Sequence, residues 1–117
     1  MRRPRPPLLD PIAWRSMWVF ALFDLPVETT AQRRAYARFR KDLLTDGFVM
    51  MQYSVYIRHC GSRESASAHL RRMGACVPAD GEVRFLMVTN GQFARIEVHV
   101  GKRRKPPEMP PAQLEFF

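Results

Sequence analysis

The run Met17-Trp18-Val19-Phe20-Ala21-Leu22-Phe23 carries no polar residue and is cut off at once by Asp24-Leu25-Pro26. An apolar run of that length, bounded by a turn signal, reads as a strand buried on both faces. Proline cannot donate to a strand ladder and biases the residue before it away from helix, so the strand stops here. The Asp24 carboxylate is left at the rim of the sheet, where it faces a target rather than a core.

The elements downstream follow from their own punctuation. Thr29 with Gln32 three residues on fits a capping box, and the spacing predicts a helix running to about Asp46 with Gly47 as the glycine just past its end. On a helical wheel Ala35, Tyr36, Phe39 and Leu43 share one side, while Arg33, Arg34, Arg38, Arg40 and Lys41 share the other. From Phe48 to His59 an alternating pattern predicts two short strands or one bent strand, with a break near Gln52 to Ser54. Ser62 caps a second helix whose stripe is Ala66, Leu70, Met73 and Val77, ended by Val77-Pro78. Val83 to Thr89 predicts a strand, Asn90-Gly91 a turn, and Arg95 to Val100 a last strand. The order β-α-β-β-α-β is ferredoxin-like, an α+β fold with an antiparallel sheet and both helices on one face, here with an additional C-terminal strand.

The 117 residues suffice for one modest core and one domain, residues 17–101. A basic, Pro-rich leader covers residues 1–16, and Met17 is itself a candidate start. A basic, Pro-rich tail covers residues 102–117. Its closing Leu114, Phe116 and Phe117 read either as an anchor for a partner or as a segment folded back on the sheet. Lys and Arg outnumber Asp and Glu by 19 to 11, for a net charge of +8, which favours an anionic partner such as nucleic acid. Cys60 and Cys76 lack metal-knuckle spacing, and there is no signal peptide or membrane-spanning run, so a cytoplasmic protein with free thiols is expected. Pro4, Pro6, Pro7, Asp10 and Pro11 rule out an export signal behind Arg2-Arg3.

With Phe23-Asp24-Leu25-Pro26, the Arg33–Lys41 helix, Gly47-Phe48 and Gln52-Tyr53-Ser54-Val55-Tyr56 in this order, the chain resembles CRISPR-associated protein 2 from Met17 to Gly101. Gln113-Leu114-Glu115-Phe116 looks like the end of members from type II systems. The resemblance implies a prokaryotic homodimer that bridges dimers of the CRISPR-associated protein 1 integrase during spacer acquisition and binds protospacer duplex DNA. It also implies a Mg²⁺- or Mn²⁺-dependent endonuclease acting on RNA or duplex DNA. The family's metal-binding aspartate maps onto Asp24 as catalytic residue, Arg33, Arg34 and Arg38 map as nucleic-acid contacts, and Leu114, Phe116 and Phe117 as partner contacts. Arg2, Arg3 and Arg5 match nothing in the family pattern.

Phosphodiester hydrolysis needs a hard cation that polarises the phosphate and lowers the pKa of a water, and Mg²⁺ sits on one or two carboxylates plus waters. One Asp per chain is thin coordination. A two-fold axis near the strand ends would bring two copies of Asp24 to one metal, and their mutual repulsion would make occupancy pH-dependent. No other catalytic set competes. His59, His69 and His99 sit on separate elements, Ser54 lacks a nucleophile elbow, and Cys60 reads as a buried thiol despite Arg58 and His59 beside it. Two rivals share the frame: a toxin-like ribonuclease and a sequence-independent RNA-binding module. Against the second, Tyr53 and Tyr56 differ by an odd number and so point to opposite faces of one strand.

Overall fold

The computed structural model describes residues 15–102, so Arg2, Arg3, Arg5, Leu114, Phe116 and Phe117 lie outside the described residues. Its elements are β1 (Met17–Asp24), α1 (Thr30–Thr45), β2 (Val49–Gln52), β3 (Val55–Cys60), α2 (Arg63–Gly74), β4 (Glu82–Thr89) and α3 (Asn90–Ala94). The four strands form one sheet in the order β2-β3-β1-β4, every pair antiparallel. Strand order and both helix crossovers are those of the ferredoxin-like α+β fold. β1 is central, with β3 paired from Met17↔Cys60 to Leu22↔Val55 and β4 from Met17↔Thr89 to Asp24↔Glu82.

The helix ends obey the local signals. Thr29 accepts from the Gln32 N–H at 3.0 Å while Gln32 accepts from the Thr29 N–H, closing the capping box. At the other end Phe48 N–H donates to Leu43 O and Gly47 N–H to Leu44 O, with Gly47 at φ 94. That pair of bonds is the Schellman motif, and the left-handed glycine makes it cheap. α2 starts on Ser62 as its cap but stops at Gly74, so Val77 leaves the helical stripe and packs on the core from the connection beyond.

One face of the sheet holds the core. Met17, Val19, Ala21 and Phe23 alternate inward along β1 and meet Phe39 and Leu43 of α1, Ala66 and Met73 of α2, and Tyr56 and Cys60 of β3. Phe23 stands edge-on to Phe39 at 5.4 Å. The opposite face, with Trp18, Phe20, Leu22 and Asp24, is only half covered. Phe93 of α3 stacks on Trp18 at 3.9 Å and reaches Phe20 at 6.0 Å, whereas Leu22 is 36 % exposed and Leu86 of β4 50 %. The apolar run is therefore buried on both faces only in its first half.

Two further expectations give way. Asn90-Gly91 opens the short helix α3 rather than a turn, because Thr89 and Gln92 form a second capping box and Asn90 is held by its N–H to Ser16 O at 2.9 Å and by Trp18 Nε1–H to its side-chain oxygen at 2.8 Å. Among the described residues Arg95–Val100 pairs with no strand, and Ile96, Val98 and Val100 are exposed. Alternation reports that one side of a segment is apolar; it supplies no partner for the ladder. At the outer edge of the sheet, β2 is four residues long and its register to β3 shifts between Met50 and Gln52, a β-bulge.

Arg40 departs from the polar ridge of α1. It turns inward to hydrogen-bond the hydroxyl of Tyr56, a residue 1 % exposed. Burial pushes the Tyr56 hydroxyl above its ordinary value of 10.0, against the opposing pull of the Arg40 guanidinium. Burial likewise raises Cys60 and Cys76 above 9.0, with Arg58 pulling Cys60 back. Each group keeps its proton more tightly folded than unfolded, so the stability these three contribute is full below pH 9.0 and is lost as pH climbs through the raised folded values. Urea midpoints measured from pH 8 to 11 should decline, and in Tyr56→Phe the decline above pH 10 should be shallower.

Candidate metal and nucleic-acid site

Asp24 is exposed, the last residue of β1 on the half-open face, and Glu82 stands directly opposite it on β4. Directly opposed residues of an antiparallel pair project to the same face. Two carboxylates thus share one patch, although one oxygen of Glu82 is taken by Arg84 at 3.0 Å. The strand end is fixed from both sides. Phe23 N–H donates to Ser54 O at 3.0 Å on the β3 side, and Gly81 backs onto the Asp24 carbonyl on the β4 side.

Among the described residues no three of His, Cys, Asp and Glu come together to hold a metal. What the rim of the sheet offers is oxygen alone, with no imidazole or thiol. That donor set fits a hard cation which keeps most of its waters and takes one or two carboxylates, as Mg²⁺ or Mn²⁺ does. Within one chain Asp24 is the residue that would hold it.

The arginines expected on nucleic acid divide. Arg34 and Arg38 lie four residues apart on the exposed side of α1 and make no hydrogen bond or ion pair with other described residues. Arg33 is exposed too, but its guanidinium donates to Val27 O, Glu28 O and the Thr30 hydroxyl. It holds the turn between Asp24 and the helix, so any phosphate contact by Arg33 must compete with those bonds.

Asp46 and His69 form a structural cluster, whereas His99 is exposed and among the described residues pairs only with Glu97 at 3.2 Å. Asp46, the C-cap of α1, accepts from Arg72 Nε at 2.8 Å and meets His69 Nδ1 at 2.6 Å, while its backbone carbonyl accepts from Arg58 Nε at 3.1 Å. His69 is thus a satisfied side chain. Cys60 is buried and both cysteines are free. His59 lies against Trp18 at 4.9 Å. Glu82, the Ser54 tether and the Asp46 node all join residues far apart in the chain, and none has a local signature; the break expected near Gln52 to Ser54 is the two-residue turn Tyr53-Ser54 between β2 and β3.

The family model described as CRISPR associated protein Cas2 matches residues 17–96. A protein of Parvibaculum lavamentivorans named CRISPR-associated endoribonuclease Cas2 is 64 % identical over 101 residues, 86 % of this chain and 100 % of that one. The protein of the same name from Flavobacterium psychrophilum is 42 % identical over 89 % of this chain and 90 % of its own. A solved structure titled "Crystal structure of cas2" superposes with a TM-score of 0.53 at 25 % identity, covering 81 % of this chain and 98 % of that one. No helix among the described residues is long and apolar enough to cross a membrane. With the ferredoxin-like sheet, the exposed aspartate closing β1 and a family match over most of its length, the chain belongs to the CRISPR associated protein Cas2 family.

Proposed function

We propose that the protein is a metal-dependent endoribonuclease that works as a homodimer in CRISPR spacer acquisition, where it binds duplex DNA by its backbone and bridges integrase dimers. The observation that carries the nuclease reading is the exposed Asp24 carboxylate at the end of the central strand, in a chain whose relatives are named endoribonucleases. A Mg²⁺ or Mn²⁺ held there would polarise the phosphate and lower the pKa of an attacking water. Asp24 binds and orients; Arg34 and Arg38 draw the phosphate backbone to α1.

Three features of the single chain favour the dimer. Coordination by one chain is incomplete, since no three ligands meet among the described residues. The sheet face around Leu22 and Leu86 is apolar and left partly open by the described residues. Arg95–Val100 carries strand alternation but has no strand beside it among the described residues. A second copy would answer all three, the two Asp24 residues sharing one ion. The bridging role and the contacts of Leu114, Phe116 and Phe117 rest on the family resemblance and the apolar end of the tail.

The test is cleavage of end-labelled single-stranded RNA and duplex DNA by the purified protein with Mg²⁺, with Mn²⁺ and after chelation. Internal cuts in RNA that stop on chelation are expected; no metal-dependent cut in either substrate would remove the enzyme from the proposal. For DNA binding, the double change Arg34→Ala and Arg38→Ala should lower the slope of log affinity against log salt by about two, roughly one for each phosphate left without its cation. An unchanged slope would place the DNA elsewhere.

A further inference from the structure

Three described residues have a left-handed backbone, and two of them touch the end of β1. Gly47 is the third, closing α1. Gly81, at φ 90, packs so closely that a Cβ there would lie 2.7 Å from the Asp24 carbonyl oxygen and 2.9 Å from the Leu25 side chain and the Pro26 ring. Ser54, at φ 61, is the one left-handed residue among them that is not glycine, in a region an L side chain adopts at a cost. Its hydroxyl makes no hydrogen bond with described residues; its carbonyl accepts the Phe23 N–H at 3.0 Å.

The geometry explains why such a conformation is kept. The chain reverses in two residues between Gln52 and Val55, which are paired across the turn. The β1–β3 pairing stops at Leu22↔Val55, yet the left-handed Ser54 carbonyl adds one more bond to β1, on the residue just before Asp24. Strand ends ordinarily fray, and Pro26 has no N–H with which to prolong this one. Outlying backbone conformations persist where the surroundings impose them, and they cluster where direction matters.

We propose that Ser54 is a positioning residue for Asp24: its left-handed backbone, and not its hydroxyl, tethers the Phe23 amide and so fixes the direction of the carboxylate, with Gly81 closing the opposite side. The proposal deepens the reading of Asp24 as the metal-binding residue and rests on it.

Two variants separate backbone from hydroxyl. Ser54→Gly removes the hydroxyl and favours the left-handed region; Ser54→Thr keeps the hydroxyl and, being β-branched, disfavours it. Exchange of the Phe23 amide by NMR, Mn²⁺ affinity, RNA affinity and kcat for RNA cleavage are measured on both. Ser54→Gly should keep kcat and Mn²⁺ affinity within about twofold of wild type, given glycine's freedom at positive φ. Ser54→Thr should exchange the Phe23 amide about tenfold faster and lose on the order of tenfold or more in kcat with RNA affinity unchanged, as expected for a misdirected catalytic group. Loss in Ser54→Gly with retention in Ser54→Thr would show that the hydroxyl acts, and would overturn the proposal. So would faster Phe23 exchange with unaltered kcat and Mn²⁺ affinity. Should the wild type prove unable to cut RNA, the nuclease reading fails alone, and Phe23 exchange with Mn²⁺ affinity still decides the tether.

Discussion

Asp24→Asn is expected to lower metal-dependent RNA cleavage at least about a hundredfold, on the order of the loss when a group stabilising transition-state charge is removed. The fold should not suffer. Asp24 is exposed and directly faces Glu82 across the β1–β4 pair, and like charges in that relation destabilise a sheet. Replacing one of them with a neutral isostere should leave the thermal midpoint unchanged or raise it slightly. Activity lost while stability holds or improves is the mark of a residue kept for chemistry rather than for the fold. Thermal melts and single-turnover cleavage of wild type and variant check both halves. Undiminished cleavage, or a fall in midpoint worth more than about 1 kcal/mol, well beyond the usual surface effect, would argue against the site.

The opposite signature is expected at Asp46. A carboxylate at a helix C-terminus sits at the negative end of the macrodipole and is unfavourable there by itself. Here it is 10 % exposed and meets the side chains of His69, 12 % exposed, and Arg72, 54 % exposed, while Arg58 of β3 bonds its carbonyl. The two guanidiniums oppose the dipole effect and, with His69, tie α1 to α2 and β3. Asp46→Ala strands the polar face of His69 next to Arg72 and should lower stability by about 2–3 kcal/mol, toward the lower end for a broken buried pair because Arg72 is half in water. Urea unfolding measures it, and a double-mutant cycle with His69 should show coupling of about 0.5–3 kcal/mol. RNA affinity should be untouched. A change below about 0.5 kcal/mol would make the node ornamental.

Most of the frame was legible because its signals are local. The Thr29–Gln32 box, Gly47, the break near Gln52 to Ser54 and Ser62 each speak within four residues, and Pro26 left Asp24 at the strand end where the structure has it. The miss at α3 was a conflict between two local signals: Asn90-Gly91 suggests a turn, but Thr89 with Gln92 repeats the very box that opens α1. Arg40 sits at the border of the apolar stripe, where a wheel cannot decide, and the buried Tyr56 hydroxyl decided it. The Asp46 node, the Glu82 partner and the tether to Phe23 arise only when strands and helices far apart in sequence are laid side by side, so no window of residues contains them. Arg95–Val100 is the converse case, a local alternation for which the described residues supply no neighbouring strand.

The bulge in β2 also sets how copies of this protein can accumulate. Edge strands with flat rows of unpaired N–H and C=O groups recruit one another, and a sheet open at both ends can grow without limit. β2 is short and kinked between Met50 and Gln52, so it templates poorly even with Val49 and Met51 exposed; among the described residues β4, eight residues long and regular, is the one inviting edge. A sheet with one usable border can join its own kind only once, so concentrated stocks of the protein are expected to end in pairs instead of fibres; light scattering that grows without limit on concentration would contradict it.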